Sequence, residues 1–152
     1  MCGRYTLFTD KEYQDIRKII RAVQEKGHEV KTGEIYPTNP APILVWEGKE
    51  TVPQAVKWGW PKFQGSGVLI NARAETAKEK NLFRKSVYTR RCVVPTTGFY
   101  EWDQEKAKYR FILPHASTLY LAGLYNEFQG ERRFLILTTE ANASVSFIHS
   151  RM

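Results

Sequence analysis

The chain predicts an α+β domain: a curled, mainly antiparallel sheet with a barrel-like core and a few flanking helices. Three observations carry this. Short apolar runs bounded by turn residues recur along most of its length, only two stretches have helical spacing, and a 42% hydrophobic content over 152 residues suffices for one core. Residues 1–152 are therefore read as a single domain, with no internal repeat or linker.

The elements follow in order. Thr9-Asp10-Lys11-Glu12 has the form of a capping box and predicts a helix start. Tyr13, Ile16, Ile19, Ile20 and Val23 continue it at helical spacing, and Gly27 stops it. Ile43–Trp46 and Thr51–Lys57, joined by Glu47-Gly48-Lys49-Glu50, read as a hairpin. Val68-Leu69-Ile70 is a short strand, and Ala74 to Phe83 looks helical. Cys92–Val94, Tyr109–Leu113, Leu119–Leu124 and Arg133–Leu137 complete the strands, with turns at 103–108 and 129–131. The end, Ile148-His149-Ser150-Arg151-Met152, has no Gly, Pro or charged tail and reads as cut in mid-motif.

Composition narrows the class. No apolar run approaches the ~20 residues of a membrane span, and the start lacks a basic segment followed by an apolar one, so neither a membrane protein nor a secreted one is expected. Two cysteines, Cys2 and Cys92, offer neither metal spacing nor a disulfide framework; the expectation is a reducing, cytoplasmic setting with no metal or cofactor. Lys and Arg total 23 against 16 acidic residues, and the resulting +7 suits a polyanionic partner such as nucleic acid.

Cys2 carries the most chemistry. Removal of Met1 would leave its α-amine and thiol on one residue, and the amine, titrating near pH ~8, is partly neutral at pH 7. Such a 1,2-aminothiol condenses with an aldehyde through an imine to a thiazolidine. The plain alternative is an incidental terminal cysteine. Cys92, within an apolar strand, reads as core.

Four further segments have two readings each. Trp58-Gly59-Trp60-Pro61 is either core aromatic packing with a turn or a base-stacking platform. Asn71-Ala72-Arg73, at a strand end, sets an amide and a guanidinium on one face for a sugar-phosphate, or is a turn with a surface Arg. In Gly98-Phe99-Tyr100-Glu101-Trp102, aromatics flank Glu101 and suit it to acid/base work, unless it points at water. His149-Ser150-Arg151 offers a proton shuttle and a phosphate ligand, or a structural histidine like His115.

Together, Met1-Cys2-Gly3-Arg4-Tyr5, Trp58-Gly59, Asn71–Glu75, Arg91–Pro95, Gly98–Trp102, Ala122-Gly123-Leu124 and His149–Met152 resemble the SRAP (SOS response-associated peptidase) family in order and spacing over the whole chain. The family's final motif continues with Pro and a substantial further segment, so the resemblance implies a domain incomplete at its C-terminus. Trp60 stands where a smaller aliphatic residue is common.

The resemblance implies a sensor of abasic sites in single-stranded DNA that cross-links to the lesion through mature Cys2 during the DNA damage response. It has lyase-like or autopeptidase character, needs no cofactor and acts as a monomer in the cytoplasm, at the nucleoid in a bacterium. Cys2 would be the nucleophile, Asn71 would position the opened sugar, Glu101 would be acid/base, and His149 would assist ring opening and adduct reversal. Arg4, Arg73 and Arg151 would hold phosphates, while Trp58 and Trp102 would support or stack on DNA. Arg4, and His149 if protonated, would favour the Cys2 thiolate. The alternatives are an N-terminal-cysteine autopeptidase or thiol amidohydrolase, and a noncovalent binder of single-stranded or modified DNA.

Overall fold

A computed structural model describes residues 2–152; Met1, and with it the expected removal of that residue, lies outside the described residues. Five strands close into a barrel. They are β3 (Pro40–Trp46), β4 (Thr51–Trp58), β8 (Arg91–Thr96), β11 (Leu119–Phe128) and β12 (Glu131–Thr138), in the ring β11-β8-β3-β4-β12 with β12 returning to β11. Every pairing in the ring is antiparallel except the seam, where β4 meets β12 in parallel through Lys57↔Arg133 and Phe134↔Trp58. β7 (Asn71–Arg73) takes the same edge of β12 further on, also parallel, with Asn71 opposite Ile136 and Arg73 opposite Thr138. The curled sheet expected from the sequence is thus present, closed on itself, which removes exposed edges.

A second, four-stranded antiparallel sheet has the order β10-β9-β1-β2, formed by β10 (Lys108–Phe111), β9 (Gly98–Trp102), β1 (Tyr5–Leu7) and β2 (Gly33–Ile35). A small ladder joins β5 (Trp60–Pro61) to β6 (Val68–Leu69). The main core contains Tyr5, Leu7, Ile16, Ile43, Trp58, Phe134 and Ile136, and includes both Cys2 and Cys92. A smaller core gathers Trp60, Phe83, Leu124 and Leu135. Close approach is built in at Gly123, where an added Cβ would stand 2.8 Å from the Leu135 carbonyl oxygen and 2.9 Å from Cys92 Sγ.

Two helix expectations need correction. The capping box does not open the first helix: the Asp10 carbonyl accepts the Tyr13 N–H at 3.0 Å, making an extra turn, and α1 runs Gln14–Glu25 with no side-chain cap. The stretch Ala74–Phe83 is two helices, α2 (Ala74–Ala77) and α3 (Asn81–Thr89), the second extending well beyond the expected end. Lys80 between them is extended, and Arg84 donates to the Lys78 and Glu79 carbonyls, satisfying the groups the break exposes. The break lets Phe83 turn in against Trp60, 5.7 Å between ring centroids. No helix among the described residues is long and apolar enough to cross a membrane.

Candidate active site

The site begins where the N-terminus is pinned to the outer sheet. Tyr5 pairs with Phe99, and the Tyr100 N–H donates to the Arg4 carbonyl at 2.9 Å, so the antiparallel course carries Cys2 toward the Glu101 end of β9. Cys2 is 3% exposed and Glu101 2%, a buried thiol near a buried carboxyl group. The thiol donates weakly to the Arg4 carbonyl, 3.8 Å away. Burial, and then the charge of Glu101, push it from 9.0 to about 12.

Burial and Glu101 thus work against the expected thiolate and favour the neutral thiol. Arg4 does not reverse this, because its guanidinium is engaged elsewhere. It lies 3.5 Å from Glu34 and 4.3 and 5.2 Å from the ring centroids of Tyr36 and Trp102. Tyr5 packs in the same core as Cys2: its fully buried phenol, with no hydrogen-bond partner among the described residues, is raised by burial and by the charges of Cys2 and Cys92 were they ionised.

On the barrel side, Asn71 is buried in β7 and its Nδ2 donates to the Ile136 carbonyl at 3.4 Å. Its Oδ1 has no hydrogen-bond partner among the described residues, a buried acceptor turned toward no donor. Arg73, the last residue of β7, reaches solvent with no ion-pair partner among the described residues.

His149 arrives from the far end of the chain. After β12 the backbone doubles back, with Thr139 and Met152 exchanging hydrogen bonds at 2.8 and 3.0 Å and Ala141 N–H donating to Ser150 at 3.0 Å. This sets half-buried His149 on the wall of a cavity of about 760 Å³, across which stand Trp102 and Asp103 from the end of β9. Cys2, Arg4, Glu101 and Trp102 are thus gathered by the β1–β9 pairing, and His149 faces that strand end. Asn71 and Arg73 lie beside β12, the strand whose end leads into the segment that carries His149.

Two assigned roles change. Trp58 is fully buried, 5.2 Å from the Tyr5 ring and stacked on Phe134 at 6.2 Å, with its Nε1–H donating to the Ile70 carbonyl at 3.2 Å. A base cannot reach it, and the indole is core packing, the alternative that the sequence left open. Arg151 donates to both Glu75 carboxylate oxygens at 2.8 and 3.0 Å and to the Thr138 carbonyl and hydroxyl at 2.9 and 3.0 Å. With those donors committed it is an internal tie, not an open phosphate ligand.

One exposed ring was passed over in the sequence. Phe147, 74% exposed, lines the same cavity as Trp102 and His149. Its only sequence signal is an aromatic in a polar stretch two residues before the histidine. Among the described residues no cluster of His, Cys, Asp and Glu has the arrangement to hold a metal ion.

The model of the SRAP family, SOS response associated peptidase, matches residues 1–152. The chain belongs to that family. The SRAP domain here is 34% identical over 172 aligned positions to the abasic site processing protein YoqW of Bacillus subtilis (strain 168), covering 100% of this chain and 74% of that protein. It is 31% identical over 168 positions to YoaM of the same organism, also called an abasic site processing protein, covering 100% and 73%. A crystal structure of a protein from Bacteroides thetaiotaomicron superposes with a TM-score of 0.77 at 25% identity, covering 99% of this chain and 75% of that one.

Proposed function

We propose that this SRAP domain processes abasic DNA by capturing the ring-opened aldehyde of the lesion, in a single strand, as a thiazolidine on Cys2. The observation that carries the proposal is the burial of Cys2 beside Glu101, in a family whose relatives are named for abasic site processing.

Removal of residue 1 generates the amine. Its nitrogen attacks the aldehyde carbon, the carbinolamine loses water, and an iminium results. The thiol then adds to the same carbon: a C–S bond forms, the S–H proton leaves, and the nitrogen keeps its own. The net reaction joins aldehyde and aminothiol with loss of one water. Because the thiol is held up at about 12, ring closure needs a local proton acceptor, and the Glu101 carboxylate is the group beside it. Closing the ring removes the iminium electron sink that would otherwise promote β-elimination and strand cleavage.

The remaining residues divide the work. The unpartnered Asn71 Oδ1 is suited to accept from the amine or a sugar hydroxyl. His149, at the cavity wall, serves sugar ring opening. Exposed Arg73 attracts phosphates, while Trp102 and Phe147 offer faces for flanking bases.

The test is incubation of the processed protein with a single-stranded oligonucleotide bearing one abasic site, followed by a denaturing gel. A retarded band that disappears in Cys2→Ala, and when the aldehyde is first reduced to an alcohol, supports the proposal. An undiminished band in Cys2→Ala overturns it. The family name also carries a peptidase activity; self-cleavage before Cys2 of a chain extended at its N-terminus would reveal it.

A further inference from the structure

Glu75 is the residue after Ala74 in the stretch that follows Asn71 and Arg73, and it stands at the start of α2. Its carboxylate meets Arg151 with paired hydrogen bonds of 2.8 and 3.0 Å, and also accepts the Glu140 N–H at 3.2 Å. Arg151 and Glu140 face each other across an isolated antiparallel bridge. One carboxylate therefore fastens both limbs of the turned-back segment to the start of α2, directly after the strand that carries Asn71.

Arg151 in turn touches His149 through its main chain. The Arg151 N–H lies 3.0 Å from His149 Nδ1 and the Arg151 carbonyl oxygen 3.1 Å from the same nitrogen. The N–H can donate when Nδ1 is unprotonated, and the carbonyl can accept when it is protonated. The ring is therefore held at Nδ1 in either proton state, which suits a group that must gain and lose a proton without swinging away.

We propose that Glu75 is a positioning residue for the reaction at Cys2: through its ion pair with Arg151 it fixes the main-chain cradle that orients the His149 imidazole at the cavity wall. The inference rests on the function proposed above for its kinetic test, but the cradle itself has an independent readout. The Arg151 hydrogen bonds hold the Glu75 carboxyl at about 2, so the tie is ionised throughout the usable pH range. Its worth lies in geometry, since a pair with one partner exposed adds little to stability but a misplaced proton donor slows a reaction.

The experiment measures adduct formation against oligonucleotide concentration for wild type, Glu75→Ala, Glu75→Asp and Arg151→Lys, each checked for a native urea midpoint. Glu75→Ala and Arg151→Lys are expected to lower the maximal rate about fivefold with the half-saturating concentration unchanged. Glu75→Asp, which keeps the carboxylate, is expected to recover at least half of the loss. In parallel, hydrogen exchange at the Arg151 amide should accelerate about tenfold in Glu75→Ala, whether or not any variant forms an adduct. Unchanged exchange and an unchanged maximal rate overturn the inference, as does a change confined to half-saturation, which would make Arg151 a DNA ligand. Faster exchange in a protein that forms no adduct even as wild type would sustain the cradle and defeat the function instead.

Discussion

Replacing Trp58 separates a core residue from a DNA-stacking one. Its indole is fully buried between Tyr5 and Phe134, and Nε1–H donates to Ile70. Trp58→Ala should destabilise the domain by about 3–5 kcal/mol from lost burial and the cavity left behind. Trp58→Phe keeps a ring in place and loses the donor, but the Ile70 carbonyl still accepts the Ile136 N–H at 3.0 Å. Its cost should therefore stay near 1–2 kcal/mol. Urea unfolding followed by tryptophan fluorescence measures both, read as a shift in midpoint at constant slope. Retention of the folded Trp58→Phe protein on a single-stranded oligonucleotide should remain within about twofold of wild type, against the larger loss expected for a stacking ring. A Trp58→Ala protein of native stability that has lost retention would refute the packing argument.

The remaining expectations concern charge, stacking and pH. Cys2 and Cys92 are both raised from 9.0 to about 12, chiefly by burial, so the folded state favours the neutral thiol. That stabilisation is complete below pH 9 and lost as pH climbs toward 12, at about 1.4 kcal/mol per pH unit per thiol; urea midpoints at pH 8, 9.5 and 11 should fall in turn, and a flat series would contradict it. Phe147→Ala should weaken noncovalent retention on a single strand about tenfold with stability unchanged, measured by fluorescence anisotropy in a Cys2→Ala background. Arg73→Gln should reduce the slope of log affinity against log salt by about 0.7, the share of one phosphate on a single strand, in the same assay.

Much of the fold was legible because its signals are local. The hairpin β3–β4 follows from two apolar runs around Glu47-Gly48-Lys49-Glu50, and the structure pairs Trp46 with Thr51 as that turn requires. β1 left a weaker signal: the alternation Tyr5-Thr6-Leu7 spans only three residues, too short to mark a strand, and the burial of all three is tertiary. Barrel closure was equally hidden, since the parallel β4–β12 seam joins residues some 76 positions apart, as in Lys57↔Arg133.

The site divides along the same line. Residue types at Cys2, Asn71, Glu101 and His149 announce their chemistry, while their surroundings are tertiary. Nothing near Arg151 in the sequence points to Glu75, and nothing near Arg4 points to Glu34 and Tyr36, yet those partners decide which cations remain open to phosphate. The thiol's protonation likewise depends on how deeply Cys2 is packed, which no neighbouring residue type reveals.

The central claim is that Cys2 closes a thiazolidine on an abasic aldehyde. The most direct measurement is the mass of the cross-linked N-terminal peptide after digestion of protein and DNA. The account predicts a Cys2-initiated peptide lacking Met1, heavier by the sugar remnant less one water, whose thiol no longer reacts with iodoacetamide and whose mass borohydride leaves unchanged. A peptide that keeps Met1, or an adduct with a free alkylatable Cys2 thiol, would contradict it.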